Sequence, residues 1–250
     1  MAKERSVRVN GIELHFDESG HGAPLVLLHG MGGSSGDWRH AGRESLDRAY
    51  RTIAVDARGH GRSTNALAEL THRQCALDLL ALLDALGVAR CRAIGVSMGG
   101  NVLLHAASLA PERISAMVVV SAVASYGEEA RRIMRAVSPD DRPEAEWAEM
   151  RGRHAHGDAQ IRAIWRAMRA LADDSTDMAF DRAALARISA RTLLVQGDRD
   201  PLIPVERGIE LFRGLPRAEL WVVPGGGHGP IFLAQAAPFT AKALEFLAAG

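Results

Sequence analysis

Apolar residues along this chain follow two rhythms, and the rhythms alternate. The run P-L-V-L-L-H-G at 24–30 begins with five positions that carry no polar side chain. A strand with one solvated face alternates apolar and polar residues, so an unbroken run predicts a strand buried on both faces. Thr52–Val55, Cys91–Val96, Ile114–Val120, Arg191–Gln196 and Leu220–Val223 read as further short strands. Between them the period lengthens. Leu79, Leu80, Leu83 and Leu86 fall at helical spacing within 70–86, and a second helix is predicted over Met98–Ala110. Repeated β-α-β units imply right-handed crossovers, hence an α/β fold with a doubly wound, mostly parallel sheet. Before this series, Val9-Asn10-Gly11-Ile12 places an Asn-Gly pair between alternating segments and predicts a hairpin over 5–17.

The alternation stops after Val123. Residues 124–185 are charged and helical in pattern, with no strand signal. Ile161, Ile164, Trp165, Met168 and Leu171 recur on one helix face. The expected organisation is one α/β core made of 1–123 and 186–250, with 124–185 inserted as a helical cap. The chain shows no internal repeat and no low-complexity segment.

Charge removes several function classes. The 250 residues hold 30 basic and 30 acidic side chains, so the net charge is zero. Nothing there attracts nucleic acid or an anionic membrane. The expected partner is a small molecule. Arginine carries the positive charge almost alone, since lysine occurs only at Lys3 and Lys242. The two cysteines, Cys75 and Cys91, form neither a disulfide scaffold nor a CxxC pair. They read as buried or half-buried thiols in a reducing cytoplasm. No stretch approaches the roughly 20 apolar residues of a membrane span, and M-A-K-E-R-S-V lacks the apolar core of a signal peptide. A cytoplasmic protein is expected.

Candidate chemistry begins at Gly95-Val96-Ser97-Met98-Gly99, where a serine sits between a predicted strand and a predicted helix. Glycines on both sides let the two backbones approach, and the sharp turn pushes the hydroxyl clear of the chain. A serine hydroxyl is a weak nucleophile and needs a base that is itself oriented by an acid. His228, in W-V-V-P-G-G-G-H-G-P, follows a strand at the carboxyl edge of the sheet, the same edge as Ser97. A helix-entry turn is the other reading of those glycines. Asp198 and Asp200 follow the strand at 191–196, and either serves as the acid or as a turn former. Negative charge developing on the substrate oxygen needs two N–H donors, each worth roughly 10²–10³ in rate. Met98 N–H, at the helix start, is one. Met31 N–H, in the loop H-G-M-G-G-S-S-G-D-W at 29–38, is the other.

These pieces together resemble an α/β-hydrolase with a cap. The matching motifs are H-G-M-G-G at 29–33, D-A-R-G-H-G-R-S at 56–63, G-V-S-M-G-G at 95–100, G-D-R-D-P-L-I-P at 197–204 and G-G-H-G-P at 226–230. Nucleophile, acid and histidine follow in the family's order over about 200 residues. The resemblance implies Asp200 as the acid, through the pattern G-x-x-D, and implies that neither metal nor organic cofactor is required. The expected reaction is cleavage of an ester or similar acyl bond in a small, mostly apolar substrate, through an acyl-enzyme. Rival activities on the same frame are carbon–carbon bond hydrolysis, enol-lactone hydrolysis and cofactor-free haloperoxidase or perhydrolase chemistry. Gly229-Pro230 stands where the carbon–carbon hydrolases carry a tryptophan after the histidine, which lowers that option. A serine rather than an aspartate at position 97 argues against haloalkane dehalogenases and epoxide hydrolases. A ligand-binding receptor on this fold is the non-enzymatic rival.

Other motifs read as structural. G-M-G-G-S-S-G with Asp56 on the next strand misses the dinucleotide fingerprint by one glycine position. His154 and His156 point to different faces and read as a solvated cap turn. Arg58 and His60 are expected near the rim of a glycine-shaped turn. Trp147, Trp165, Met134, Met150 and Met168 are expected to pack the cap onto the core or line an access channel.

Overall fold

The computed structural model describes residues 2–65 and 70–249. The N-terminal hairpin forms around the Asn-Gly pair. Asn10 and Gly11 have φ of 44° and 77°, the two left-handed residues that a two-residue turn of this hand requires. They join β1 (Lys3–Val9) to β2 (Ile12–Ser19). Six further strands follow: β3 (Pro24–Leu28), β4 (Arg51–Val55), β5 (Cys91–Val96), β6 (Ile114–Val120), β7 (Arg191–Gly197) and β8 (Ala218–Val223). They form one eight-stranded sheet in the order β1-β2-β4-β3-β5-β6-β7-β8. Only the β1–β2 and β2–β4 pairings are antiparallel. The rest are parallel.

The unbroken apolar run in β3 is explained by its two covered faces. Val26 and Leu28 belong to one core cluster, with Leu79, Leu82 and Leu83 of α2 (His72–Ala85) and Val102 of α3 (Met98–Leu109). Leu25 and Leu27 belong to the other, with Leu46 of α1 (Arg43–Ala49) and Phe239 and Phe246 of α9 (Ala236–Ala248). Successive side chains on a strand point to opposite faces, so helices are needed on both. Each fully buried Leu or Val contributes about 1.5–3 kcal/mol relative to exposure.

Helix α2 starts two residues later than the apolar rhythm suggests. Thr71 caps it, its side chain accepting the N–H of Gln74 at 3.0 Å. Capping follows from the hydroxyl, which leucine spacing does not register. Helix α1 escapes the periodicity altogether, because its 7 residues bury only one side chain, Leu46.

Four helices lie between β6 and β7: α4 (Glu128–Ala136), α5 (Glu144–Arg153), α6 (Gly157–Asp173) and α7 (Arg182–Ala186). Trp147 and Met150 of α5 pack with Ile161, Ile164 and Trp165 of α6 in a cluster of their own. The ends of the segment meet where Ser125 pairs with Ala179 and Phe180 N–H donates to Ala124 O at 3.0 Å. Leu185 of α7 joins the main core instead, packing against α8 (Val205–Gly214) beside Gly214.

The sheet order reverses at β3, which lies between β4 and β5. Open α/β sheets bind ligands at such a switch point, outside the carboxyl ends of the strands. Here β5 runs into α3 with almost no space between them. A Cβ on Gly95 would collide with the carbonyl of Gly99, and one on Gly99 with the carbonyl of Leu28. Replacing Gly95 with alanine should therefore lower the unfolding free energy by about 2–3 kcal/mol in urea titrations, within the range of overpacking costs.

Candidate active site

Ser97 sits at the point where β5 becomes α3, with φ 53° and ψ −113°. An L-residue with positive φ carries a cost of order 1–3 kcal/mol and persists only where its surroundings hold it. Two backbone bonds hold it here: Ser97 N–H donates to Val120 O at 2.7 Å, and Asn101 N–H to Ser97 O at 3.0 Å.

His228 comes from the loop after β8. Its Nε2 lies 2.9 Å from Ser97 Oγ, and its Nδ1 lies 2.8 Å from Asp200 Oδ2. The second ring nitrogen faces a carboxylate, so Nδ1 carries the hydrogen and Nε2 is free to accept the serine proton. The histidine loop folds tightly over β7. A Cβ on Gly197 would run into the carbonyls of Gly226 and Gly227. Gly229 N–H donates to Ser121 Oγ at 3.1 Å, tying the loop to the end of β6.

The side chain of Asp200 has no exposed surface, whereas 30% of the His228 side chain is exposed. Asp200 Oδ1 accepts the N–H groups of Leu202 and Ile203, each at 2.9 Å. Gln196 donates Nε2 to Asp200 Oδ2 at 3.3 Å and to Ile203 O at 2.6 Å, bracing the loop. Burial works to raise the Asp200 carboxyl. The His228 hydrogen bond and charge, with the Ile203 and Leu202 N–H groups, outweigh it and hold the carboxyl below its ordinary value. Asp198, the alternative acid, turns away: its Oδ1 accepts Gly225 N–H at 2.6 Å.

Met31 and Met98 border the same small pocket as Ser97. Met98 opens α3, so its N–H has no partner within the helix. Gly30 approaches Ser97 so closely that a Cβ there would touch Ser97 Cβ at 3.5 Å. The pocket itself is about 20 Å³, the room of roughly one water. Met134, Met168, Leu171, Leu202 and Ile203 supply its apolar wall.

The alpha/beta hydrolase family model matches residues 25–242. This chain is an alpha/beta hydrolase. It is 31% identical over 257 residues to a protein of Pseudomonas savastanoi pv. phaseolicola provisionally named carbamate hydrolase RutD, covering 94% of this chain and 97% of that one. The enol-lactonase of Burkholderia xenovorans LB400 is 25% identical, with a TM-score of 0.77 over 97% of this chain and 99% of that one. The meta-cleavage product hydrolase CumD of Pseudomonas fluorescens IP01, at 20% identity, shares the fold with a TM-score of 0.78 over 97% of each chain.

Several residues of the hydrolase sit elsewhere than their sequence context suggested. Arg58 is buried rather than at a rim, paired with Asp78 through two 2.8 Å contacts. His60 is also fully buried, its Nδ1 3.0 Å from Arg58 O. His156 is exposed, but His154 is not a solvated turn residue. It closes α5 onto the core: Nδ1 accepts Gly61 N–H at 2.9 Å and Nε2 donates to Gly32 O at 3.1 Å. Trp165 and Met150 lie over Gly32, in the loop that carries Met31. A side-chain cluster with no sequence signature also borders the pocket: His72, Asn101 and Tyr126. Only Asn101 was discoverable beforehand, as the residue one helical turn beyond Ser97. Both cysteines are buried, and burial pushes each thiol up to about 12. Among the described residues no helix is long and apolar enough to cross a membrane.

Burial, helped by the nearby His29 ring, lowers the His154 pKa to about 4, against the pull of the Gly32 carbonyl and Asp56. The folded state resists a proton that the unfolded chain accepts below about 6.5, so stability falls as pH drops through that window. Wild type should lose about 2 kcal/mol more than His154→Asn between pH 7 and pH 5, as read by urea unfolding at both values.

Proposed function

We propose that the hydrolase cleaves an ester or similar acyl bond of a small, mostly apolar substrate through a serine-linked acyl-enzyme. The observation that carries this reading is the unbroken hydrogen-bond chain from Ser97 Oγ through His228 to Asp200, at 2.9 and 2.8 Å. As Oγ attacks the carbonyl carbon, His228 Nε2 takes its proton. Asp200 keeps the imidazole in the required tautomer and stabilises the imidazolium. The N–H groups of Met31 and Met98 hold the oxyanion. His228 then passes the proton to the leaving group, and water attacks the acyl-enzyme by the same steps in reverse order. The scheme needs no metal and no organic cofactor.

In this reading residues 124–185 act as the cap, with α4 to α6 as its main helices. They place Met134 and Met168 over the pocket, and methionine repacks readily around different acyl groups. The reading also sets the enzyme in the cytoplasm, where the buried thiols of Cys75 and Cys91 suit a reducing medium. Carbamates are a second substrate class, supported by the relative provisionally named carbamate hydrolase RutD. A carbamate presents a carbonyl to the same nucleophile and the same donors.

A short-chain p-nitrophenyl ester should be turned over, and Ser97→Ala should lose roughly 10⁵–10⁶ of that rate. A fluorophosphonate probe should label the peptide containing Ser97. Undiminished turnover in the alanine variant would discard the mechanism, and tight ligand binding with negligible turnover would favour a receptor. The two aspartates separate in the same assay. Asp200→Asn should cost about 10⁴ in kcat through the wrong tautomer, whereas Asp198→Asn should stay within about tenfold of wild type because its carboxylate only braces Gly225.

A further inference from the structure

The pocket beside Ser97 is not apolar throughout. Its far side carries Tyr126 and Asn101, which meet, at 3.2 and 3.4 Å, the His72 ring of a second histidine–aspartate pair that the reaction scheme leaves unused. His72 and Asp177 are buried, with His72 Nδ1 2.6 Å from Asp177 Oδ2. Asp177 also caps α2, accepting the N–H groups of His72 at 2.8 Å and Arg73 at 3.0 Å. A carboxylate is favoured at a helix N-terminus. Burial opposes the charge, yet the His72 hydrogen bond and charge with these N–H groups bring the Asp177 pKa to about 2. The dyad is therefore a fixed support rather than a mobile acid.

The support fixes the orientation of what stands on it. Asn101 Oδ1 accepts Val123 N–H at 3.1 Å, which sets the amide so that Nδ2 donates to Tyr126 Oη at 2.9 Å. Tyr126 Oη lies 3.2 Å from His72 Nε2. With His72 neutral and its hydrogen on Nδ1, the single lone pair of Nε2 takes the nearer donor, the phenol O–H, rather than Asn101 Nδ2 at 3.4 Å. One lone pair of Tyr126 Oη is filled by Asn101, and one is left over. Asn101 is one turn from Ser97 on α3, and residues four apart on a helix stand about 5–6 Å apart at Cβ. Among the described residues no arginine or lysine lines the pocket to meet an anion, and its neighbouring carboxylate, Asp177, is already engaged.

We propose that Tyr126, held by Asn101 and the His72–Asp177 pair, recognises a neutral hydrogen-bond donor on the acyl part of the substrate, a hydroxyl or amide N–H two or three bonds from the scissile carbonyl. The preferred substrates are then short hydroxyacyl or amidoacyl compounds, not plain fatty esters. This inference rests on Ser97 as the nucleophile, and it adds a specificity-determining residue to that reading.

Butyryl and 3-hydroxypropionyl p-nitrophenyl esters test it, since they differ only by a terminal methyl in place of a hydroxyl. Wild type should favour the hydroxyacyl ester in kcat/KM by about tenfold or more, where an apolar pocket would favour butyryl. Tyr126→Phe should cut that preference by roughly 10- to 100-fold, the usual effect of leaving one buried polar contact unmade. A wild-type ratio at or below one overturns the proposal, whether or not the variant folds. So does a preference that survives in a Tyr126→Phe protein of normal melting temperature. If neither ester turns over and the fluorophosphonate leaves Ser97 unlabelled, the hydrolytic reading is what fails. Calorimetric binding of butanamide and 3-hydroxypropanamide to the Ser97→Ala protein then decides the recognition claim alone, with equal affinities counting against it.

Discussion

The strand-to-helix turn at Ser97 is the constraint from which the rest of the site follows. A residue with φ 53° cannot be relieved by shifting its neighbours, because Gly95 leaves no room for a Cβ beside the Gly99–Gly100 peptide and Gly99 none beside the carbonyls of Leu28 and His29. The strain is held by the packing of β5 against β3 and β6, and by α3 starting at once after the turn. In return Oγ projects from the carboxyl edge of the sheet, and the first free N–H of α3 stands beside it. In the proposed mechanism, nucleophile and oxyanion donor are thus fixed by the same few atoms, and neither needs to move for reaction.

Parallel strands make the other members of the site converge. Asp200 follows β7, His228 follows β8 and Met31 follows β3, and all three strands end on the edge where β5 delivers Ser97. Reach across that edge is supplied by loops without bulk. Glycines at 225–227 let the β8 loop lie on Gly197, and Ser121, itself at φ 50°, receives Gly229 N–H. Asp200 is buried and multiply bonded, while His228 stays partly exposed. That division suits an orienting carboxylate and a proton carrier, since a carboxylate with its lone pairs occupied stays ionised as the imidazole charges and discharges.

What the sequence disclosed follows from how far apart the interacting residues lie along the chain. The strands, the long helices and the Asn10-Gly11 turn depend on neighbours within a few positions, and they were readable. Ser97 was readable for the same reason, because its glycines sit two residues away on each side. The choice between Asp198 and Asp200 was not settled by spacing alone. The fold divides them by direction, one toward His228 and one toward Gly225. His154 looked like a turn residue because its two partners, Gly32 and Gly61, are about a hundred positions upstream. Arg58 and His60 were misplaced at a rim because Asp78, which balances the arginine, lies on a different element. His72, Asn101, Tyr126 and Asp177 share no motif. Each has an ordinary local reading, as helix start, helix interior, loop aromatic and cap.

In the proposed reaction a single helix links reactivity to recognition. The N-terminus of α3 presents Ser97 and Met98 to the carbonyl, and Asn101 one turn later holds Tyr126. The two points are set by helical rise, so the spacing between Ser97 and the polar wall is fixed by backbone geometry rather than by side-chain choice. Methionines fill what remains and can yield to acyl groups of different shape. A pocket that recognises substrate as proposed would discriminate by where a substrate carries its polar atom more than by how large the substrate is. Under the proposed recognition, an acyl group with no such atom would leave an acceptor at Tyr126 without a partner, and desolvating that acceptor would raise the barrier before any bond changes.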